Sequence, residues 1–260
     1  MWRAQLRYDL HPSIQIPSSS EQIRIADLGC GNGVWLTSLA TDPAWQTKTV
    51  SFHGFDIQRT HYPAATNLPA NVTLGYMDVF AEDIPQEHIG VYDVVHVRAF
   101  ASVVKHGDPV PVLTTSFKML KPGGYLQWDD LDAGTFHAIL PGSSKPSDAL
   151  KEFFAVSAQA QKVGMGLEYG WLWRWGELFG ENGFEIVEDE RMEVRRELRD
   201  VMTTSYVLVH EHIARHGVVD GKLVGTDADW ADVWGKAREE VAKGASLVTD
   251  LVVAVARKPL

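Results

Sequence analysis

The sequence predicts an α/β protein built on a doubly wound, largely parallel sheet, and three observations carry that expectation. Short apolar runs alternate with helix-like stretches from Ile23 to Gln127, the pattern of parallel strands joined by right-handed crossovers. The first run ends in a glycine cluster, Gly29-Cys30-Gly31-Asn32-Gly33, which lets a backbone turn tightly and approach a ligand closely. The 260 residues are 45% apolar and 22% charged, enough to bury a sizeable core without a disulfide or a structural metal.

A buried strand is expected over Ile23 to Leu28, stopped by the glycines. Val34 to Ala40 follows as a helix, with Val34, Leu36, Leu39 and Ala40 available for one apolar face. Val50 to Phe55 and Val72 to Met77 read as the second and third strands. The fourth, Tyr92 to Val97, shows little alternation, as a strand covered on both faces should. Pro111 to Leu120 reads as a helix stopped by Lys121-Pro122-Gly123-Gly124, and Tyr125 to Trp128 as a fifth strand. Phe184 to Glu188 and Leu251 to Arg257 are strand candidates in the tail. Between them Trp230, Val233, Trp234, Ala237 and Val241 recur at helical spacing.

Composition removes several function classes. Lysine plus arginine is 24 against 34 acids, a formal charge of −10, which repels a polyphosphate backbone and argues against nucleic acid. The one cysteine, Cys30, rules out an internal disulfide and any cysteine-based metal cluster. The first residues carry charges where a secretory signal needs an apolar run, and the longest apolar run, Leu251 to Ala256, is far short of a membrane span. A cytoplasmic protein with no membrane partner is the expectation.

The chemistry gathers where the strands end. Open α/β sheets bind ligands outside the carboxyl ends of their strands, at the point where strand order reverses. Asp27 precedes the glycine loop, Asp56 follows the second strand and Asp78 the third. Asp56 is placed for two ribose hydroxyls, and Asp78 for an exocyclic adenine amine. The glycine spacing departs from G-x-G-x-x-G, because Val34 follows Gly33. An acid before the loop repels a pyrophosphate and attracts the ammonium of a methionine moiety. No tyrosine is followed four residues later by lysine, a pairing common in short-chain reductases. The set points to S-adenosylmethionine rather than a nicotinamide cofactor.

Asp27-x-Gly29-x-Gly31-x-Gly33 resembles the first motif of class I methyltransferases. Phe55-Asp56-Ile57, Met77-Asp78-Val79, Tyr92 to Arg98 and Leu120 to Leu126 resemble the second to fifth, in order and at family spacing. Val-His-Val-Arg at 95–98, Leu-Gln-Trp-Asp-Asp at 126–130 and the leading His11-Pro12-Ser13-Ile14 are similar to fungal secondary-metabolism methyltransferases. The resemblance implies a Rossmann-like sheet of seven strands with the last antiparallel, plus a helical lid insertion. It implies one domain over 1–260, with a cap over 1–22 and a cofactor-binding core over 23–140. Helical acceptor-side insertions would span 141–182 and 196–245, and terminal strands 183–190 and 250–257. It places cofactor contacts at Asp27, Gly29, Cys30, Gly31, Asn32, Asp56, Ile57, Asp78, Val79 and Arg98, with Tyr8 closing over them. Arg98 reads either as a partner for the methionine carboxylate or as a structural partner for a nearby acid.

Methyl transfer to a small-molecule acceptor, on oxygen or nitrogen, is the activity this implies. A cyclase or pericyclase that uses the cofactor's positive sulfonium is one alternative, and a non-catalytic regulatory protein that binds the cofactor is another. A base is needed only if the acceptor must lose a proton; His96, Asp129 and Asp130 are the candidates, with His96 and Asp129 put forward as catalytic. His96 reads equally as a satisfied histidine orienting a loop. No metal is expected, since the fourth strand supplies His96 and Arg98 rather than a further acid to join Asp129 and Asp130. Trp128, Trp171, Trp173 and His210 are the candidates for acceptor binding, although the run Tyr169 to Trp175 also reads as indoles packed in a core. Calorimetry tests the cofactor: S-adenosylmethionine is expected to bind saturably and NADH not to bind, and the reverse would refute the assignment.

Overall fold

The computed structural model describes residues 1–16, 22–140, 147–216, 218–219, 222–223 and 228–260, without the side chains of 159–160, 163–165 and 210–230. Its sheet has seven strands: β1 (Ile23–Leu28), β2 (Val50–Asp56), β3 (Val72–Tyr76), β4 (Tyr92–Arg98), β5 (Leu120–Ile139), β6 (Glu185–Glu193) and β7 (Ser246–Arg257). Their order is β3-β2-β1-β4-β5-β7-β6. Neighbours from β3 through β5 pair in parallel. The last strand, β7, runs antiparallel to both β5 and β6. Strand order therefore reverses at the β1–β4 junction, and the carboxyl ends of β1, β2, β3 and β4 open on one edge.

The helices are α1 (Trp2–Leu6), α2 (Val34–Thr41), α3 (Val110–Met119), α4 (Asp148–Met165), α5 (Trp175–Glu181), α6 (Arg199–His216) and α7 (Ala228–Ala242). On one face of the sheet, Trp35, Leu36 and Leu39 of α2 pack on Ile25, Phe52 and Val94. On the other, α3 and α5 pack on Leu28, Val95, Val97, Leu126 and Trp128. Phe153 and Phe154 of α4, Met202 of α6 and Val233 and Ala237 of α7 cover the β5–β7 end. Each fully buried side chain of this size is worth about 1.5–3 kcal/mol. Among the described residues no helix is long and apolar enough to cross a membrane.

Three strands are longer than their apolar runs, β7 among them, which begins at Ser246 rather than Leu251. β5 extends to Ile139 because it shifts register between Asp132 and His137 against β7. Gly134 and the polar residues inside the shift break the period-two pattern. There Thr135 Oγ1 accepts the Asp250 amide at 2.9 Å and donates to the Asp132 carbonyl at 2.8 Å. β6 extends to Glu193 as an edge strand rich in charge, the composition that discourages edge-to-edge pairing and hides the strand from an apolar reading.

Gly54 in β2 has no room for a side chain: a Cβ there would lie 2.5 Å from Leu74 Cδ2, 2.8 Å from Cys30 Sγ and 2.9 Å from Leu36 Cδ1. Gly54→Ala is expected to cost about 1–3 kcal/mol through overpacking. Urea unfolding measures it, and an unchanged midpoint would show that the α2 contact yields freely.

Candidate functional site

The glycine loop folds back over the end of β2. The amides of Gly29 and Cys30 both donate to the Phe55 carbonyl, at 2.8 and 3.0 Å. Gly31 and Gly33 take positive φ, 55° and 73°, a conformation that favours glycine. Asp56, one residue past that carbonyl, accepts the Gly31 amide at 2.8 Å on Oδ2 and the Gln58 amide at 2.8 Å on Oδ1. Asp78 accepts from the Phe80 amide at 3.0 Å. A cavity of about 210 Å³ opens beside these strand ends, lined by Gly29, Asp56, Ile57, Asp78, Val79 and Arg98 together with Phe80 and Phe100. The Arg98 guanidinium lies 5.7 Å from the Trp2 ring and makes no ion pair among the described residues.

A second cavity, of about 190 Å³, adjoins the first. Ala99 lines both. The second is walled by Ala101, Leu131 and Met202 and by the side chains of Asp130, Gln161, Tyr169 and Tyr206. The turn between the two is held rigidly. Ala99 sits at φ 55°, and its amide donates to the Asp129 carbonyl at 2.9 Å. The next two amides, of Phe100 and Ala101, converge on Asp130 Oδ2 at 2.9 and 2.8 Å. The Trp128 indole donates to the same oxygen at 3.1 Å, and the Leu131 amide donates to Oδ1 at 2.9 Å. Burial nonetheless pushes the Asp130 carboxyl up to about 6, against the pull of those donors. Burial also raises Tyr169 to about 12 and Tyr206 further, with Asp130 adding to both.

Beneath the loop lies a buried ionic cluster. His96 is fully buried; its Nδ1 meets Asp27 Oδ1 at 2.7 Å and its Nε2 meets Asp129 Oδ2 at 3.1 Å. Burial opposes the charge on the ring, but Asp27 and Asp129 outweigh it and hold its pKa above the usual value. The Trp35 indole stacks on the ring at 3.7 Å. Gln127 donates to Asp129 and to the Asp9 carbonyl and accepts from the His11 amide at 2.8 Å. The N-terminal segment is thereby fastened to the sheet.

Several expectations are corrected by this geometry. Asp27 is engaged with His96 rather than open to a ligand ammonium. Tyr8, Cys30, Gly31 and Asn32 do not line the first cavity. Tyr8 packs edge-on against His11, the Cys30 thiol is turned into the protein with its pKa raised by burial, and Asn32 caps the Val34 amide. His96 and Asp129, the catalytic candidates, reach neither cavity because both are enclosed in the cluster. Asp129 and Asp130 cannot clasp one ion, since consecutive strand residues face opposite sides of the sheet. Trp128 and Trp171 are core residues, packed with Trp175 at ring distances of 5.2–5.3 Å. Trp173 points outward at 62% exposure, under Arg191 at 3.6 Å. The side chain of His210 lies outside the described residues. Sequence reasoning missed Phe80, Phe100, Gln161, Met202 and Tyr206. Met202 and Tyr206 lie on the helix that carries His210.

The first cavity fits an adenosyl cofactor. Its lining offers the carboxylates of Asp56 and Asp78, which can accept from hydroxyls and amines, and the Arg98 guanidinium, which can pair with a carboxylate. A methyltransferase-domain family model matches residues 26–126.

The chain is 31% identical over 125 residues to methyltransferase grgD of Penicillium sp, covering 46% of this chain and 43% of grgD. It is 25% identical over 179 residues to methyltransferase psoC of Aspergillus fumigatus, covering 69% and 57%. The chain thus spans about half the length of these curated relatives. Among solved structures it shares the fold of the [4+2]-cyclase SpnF, with a TM-score of 0.54 at 17% identity, covering 93% of this chain and 77% of that one. The YcgJ protein of Bacillus subtilis gives 0.53 at 14%, covering 92% and 93%. The His96 cluster has its own test. His96→Leu is expected to cost about 3–5 kcal/mol, because it leaves two buried carboxylates without their shared partner. Chemical denaturation checks this, and a loss below about 1 kcal/mol would show that the cluster relaxes or takes up water.

Proposed function

We propose that the protein transfers a methyl group from S-adenosylmethionine to a small natural-product acceptor. The observation that carries the reading is the pair of adjoining cavities that share Ala99. The first has the carboxylates and guanidinium that suit the cofactor; the second is mainly apolar and suits an acceptor. Bound S-adenosylmethionine supplies an electrophilic methyl group on a positive sulfonium. Asp56 would accept the two ribose hydroxyls, Asp78 the adenine amine, and Arg98 would pair with the methionine carboxylate. Asp130 anchors the turn at the junction of the cavities, so that cofactor and acceptor would meet at a fixed place. Holding two reactants at such a junction and excluding water accounts for much of the rate in a reaction of this kind. The resemblance to fungal secondary-metabolism methyltransferases supports a natural-product acceptor, and the protein would work in the cytoplasm.

The test incubates protein, cofactor and candidate pathway intermediates and follows the mass of each intermediate. A gain of one methyl is expected. Tight cofactor binding with rearrangement of an intermediate and no methyl gain would make the protein a cyclase instead. Binding with no change in any intermediate would make it regulatory. Two variants locate the cofactor. Asp56→Ala is expected to weaken S-adenosylmethionine about tenfold or more, since two hydrogen bonds to a charged group are lost. Trp173→Ala is expected to leave that affinity within about threefold, a shift below 1 kcal/mol. Equal losses would mean that the ribose is misplaced.

A further inference from the structure

Among the described residues, Asp130 is the one side chain lining the second cavity that can take a proton, and Met1 lines it too. Burial holds Tyr169 and Tyr206 protonated, and the Tyr169 hydroxyl donates to Gln161 Oε1 at 2.5 Å; Gln161, Ser102 and Ser205 are not bases. No lysine, arginine or histidine side chain lines the cavity among the described residues. Asp130 is 2% exposed, lines the cavity and is fixed by four donors. Three of the four fall on Oδ2, while Oδ1 accepts only the Leu131 amide among the described residues and keeps capacity for another partner. The Phe100 amide, one of the Oδ2 donors, belongs to a residue that lines the cofactor cavity. Asp130 is therefore tied to the turn at which the two cavities join.

We propose that Asp130 Oδ1 is the proton acceptor for methyl transfer, and that the acceptor is a neutral phenol- or enol-type hydroxyl compound with a ring-sized apolar part. This rests on the methyl-transfer reading above. The size follows from the cavity: about 190 Å³ compares with the roughly 150 Å³ of an apolar cavity that takes up benzene. The charge follows from the walls. A carboxylate or phosphate acceptor would face a buried carboxylate with no cationic side chain in the described lining to offset the repulsion.

The atom follows from proton chemistry. An ammonium near 10 must shed its proton before nitrogen can attack, and a carboxyl near 6 is poorly matched to that task. A phenolic oxygen attacks while still protonated and becomes strongly acidic as its new bond forms. The oxygen–carbon bond then forms as the carbon–sulfur bond breaks, and that electron pair stays on sulfur. The hydroxyl proton passes to Oδ1. The products are a methyl ether, a neutral thioether and a protonated Asp130, which later returns its proton to water. Positioned proton acceptors of this kind contribute about 10²–10⁴ in rate.

The experiment uses two probes of matched shape, 4-ethylphenol and 4-ethylbenzoate, titrated calorimetrically into the protein saturated with S-adenosylhomocysteine. The wild type is expected to prefer the phenol over the benzoate by at least about tenfold, or 1.4 kcal/mol. Asp130→Asn, shown to be folded by circular dichroism, is expected to reduce the preference over benzoate below about threefold. On any phenol that is methylated, the variant is expected to lose about 100-fold or more in kcat, with the KM for S-adenosylmethionine little changed. The wild-type titrations decide the acceptor class even if the variant does not fold. Benzoate binding as well as the phenol overturns the proposal. Methylation of a carboxylate or amine overturns it while leaving the methyl-transfer reading intact. A phenol preference that survives Asp130→Asn, or an unchanged kcat, removes Asp130 from the proton path. Absence of methyl gain on every acceptor overturns the parent reading together with the proton step.

Discussion

The imidazole of His96, closed between the carboxylates of Asp27 and Asp129, is the interaction on which the rest of the site depends. It joins the three central strands side to side, because Asp27 lies opposite His96 in the β1–β4 ladder and His96 opposite Gln127 in the β4–β5 ladder. Two carboxylates and one imidazolium leave the cluster with a net negative charge. Gln127 disperses it by donating to both oxygens of Asp129, each at 3.1 Å. Such a cluster is weak evidence of stability compared with an apolar replacement. Its consequence here is positional: the acid at the head of the glycine loop, the end of β5 and the segment Asp9–His11 are held in one arrangement.

That arrangement separates two tasks along β5. Gln127 and Asp129 face the cluster and the N-terminal segment, while Trp128 and Asp130 face α5 and the second cavity. Neighbouring acids in the chain therefore have unrelated surroundings. Asp129 sits against a cation, whereas Asp130 has only neutral donors around it, and desolvation raises its pKa. A carboxyl with that bias beside an apolar cavity is suited to exchanging protons rather than to holding a permanent charge.

The aromatic residues divide in a similar way. Trp128, Trp171 and Trp175 pack against one another and form a rigid support beneath the Phe100–Ala101 turn. The short 3₁₀ helix Gly170–Trp173 sends Trp171 inward and Trp173 outward, since residues two apart on a three-residue turn cannot share a side. The second cavity takes its aromatic walls from Tyr169 at the edge of this run and from Tyr206 on α6, with Phe136 edge-on to Tyr206 at 4.4 Å.

The parallel sheet was legible in the sequence because its strands are short apolar runs and its turns are glycines, both local signals. Asp56, Ile57, Asp78 and Val79 were legible for the same reason: a residue just past a buried strand must emerge at its carboxyl end, where the cavity is. The extensions of β5 and β6 were not, since a register shift and a charged edge erase the apolar period. Nor was the choice among His96, Asp129 and Asp130 open to sequence reasoning. Which of two adjacent residues faces a cavity depends on the register of β5 against β4 and β7, and a one-residue slip would exchange them. Whether a carboxylate is neutralised by a cation or desolvated alone depends on side chains brought together from 33 residues away, as with His96 and Asp129. The sequence by itself determined where the strands end and which acids stand there; only the tertiary structure decided which acid meets a cation and which meets an open cavity, because burial and charge pairing are properties of neighbours in space.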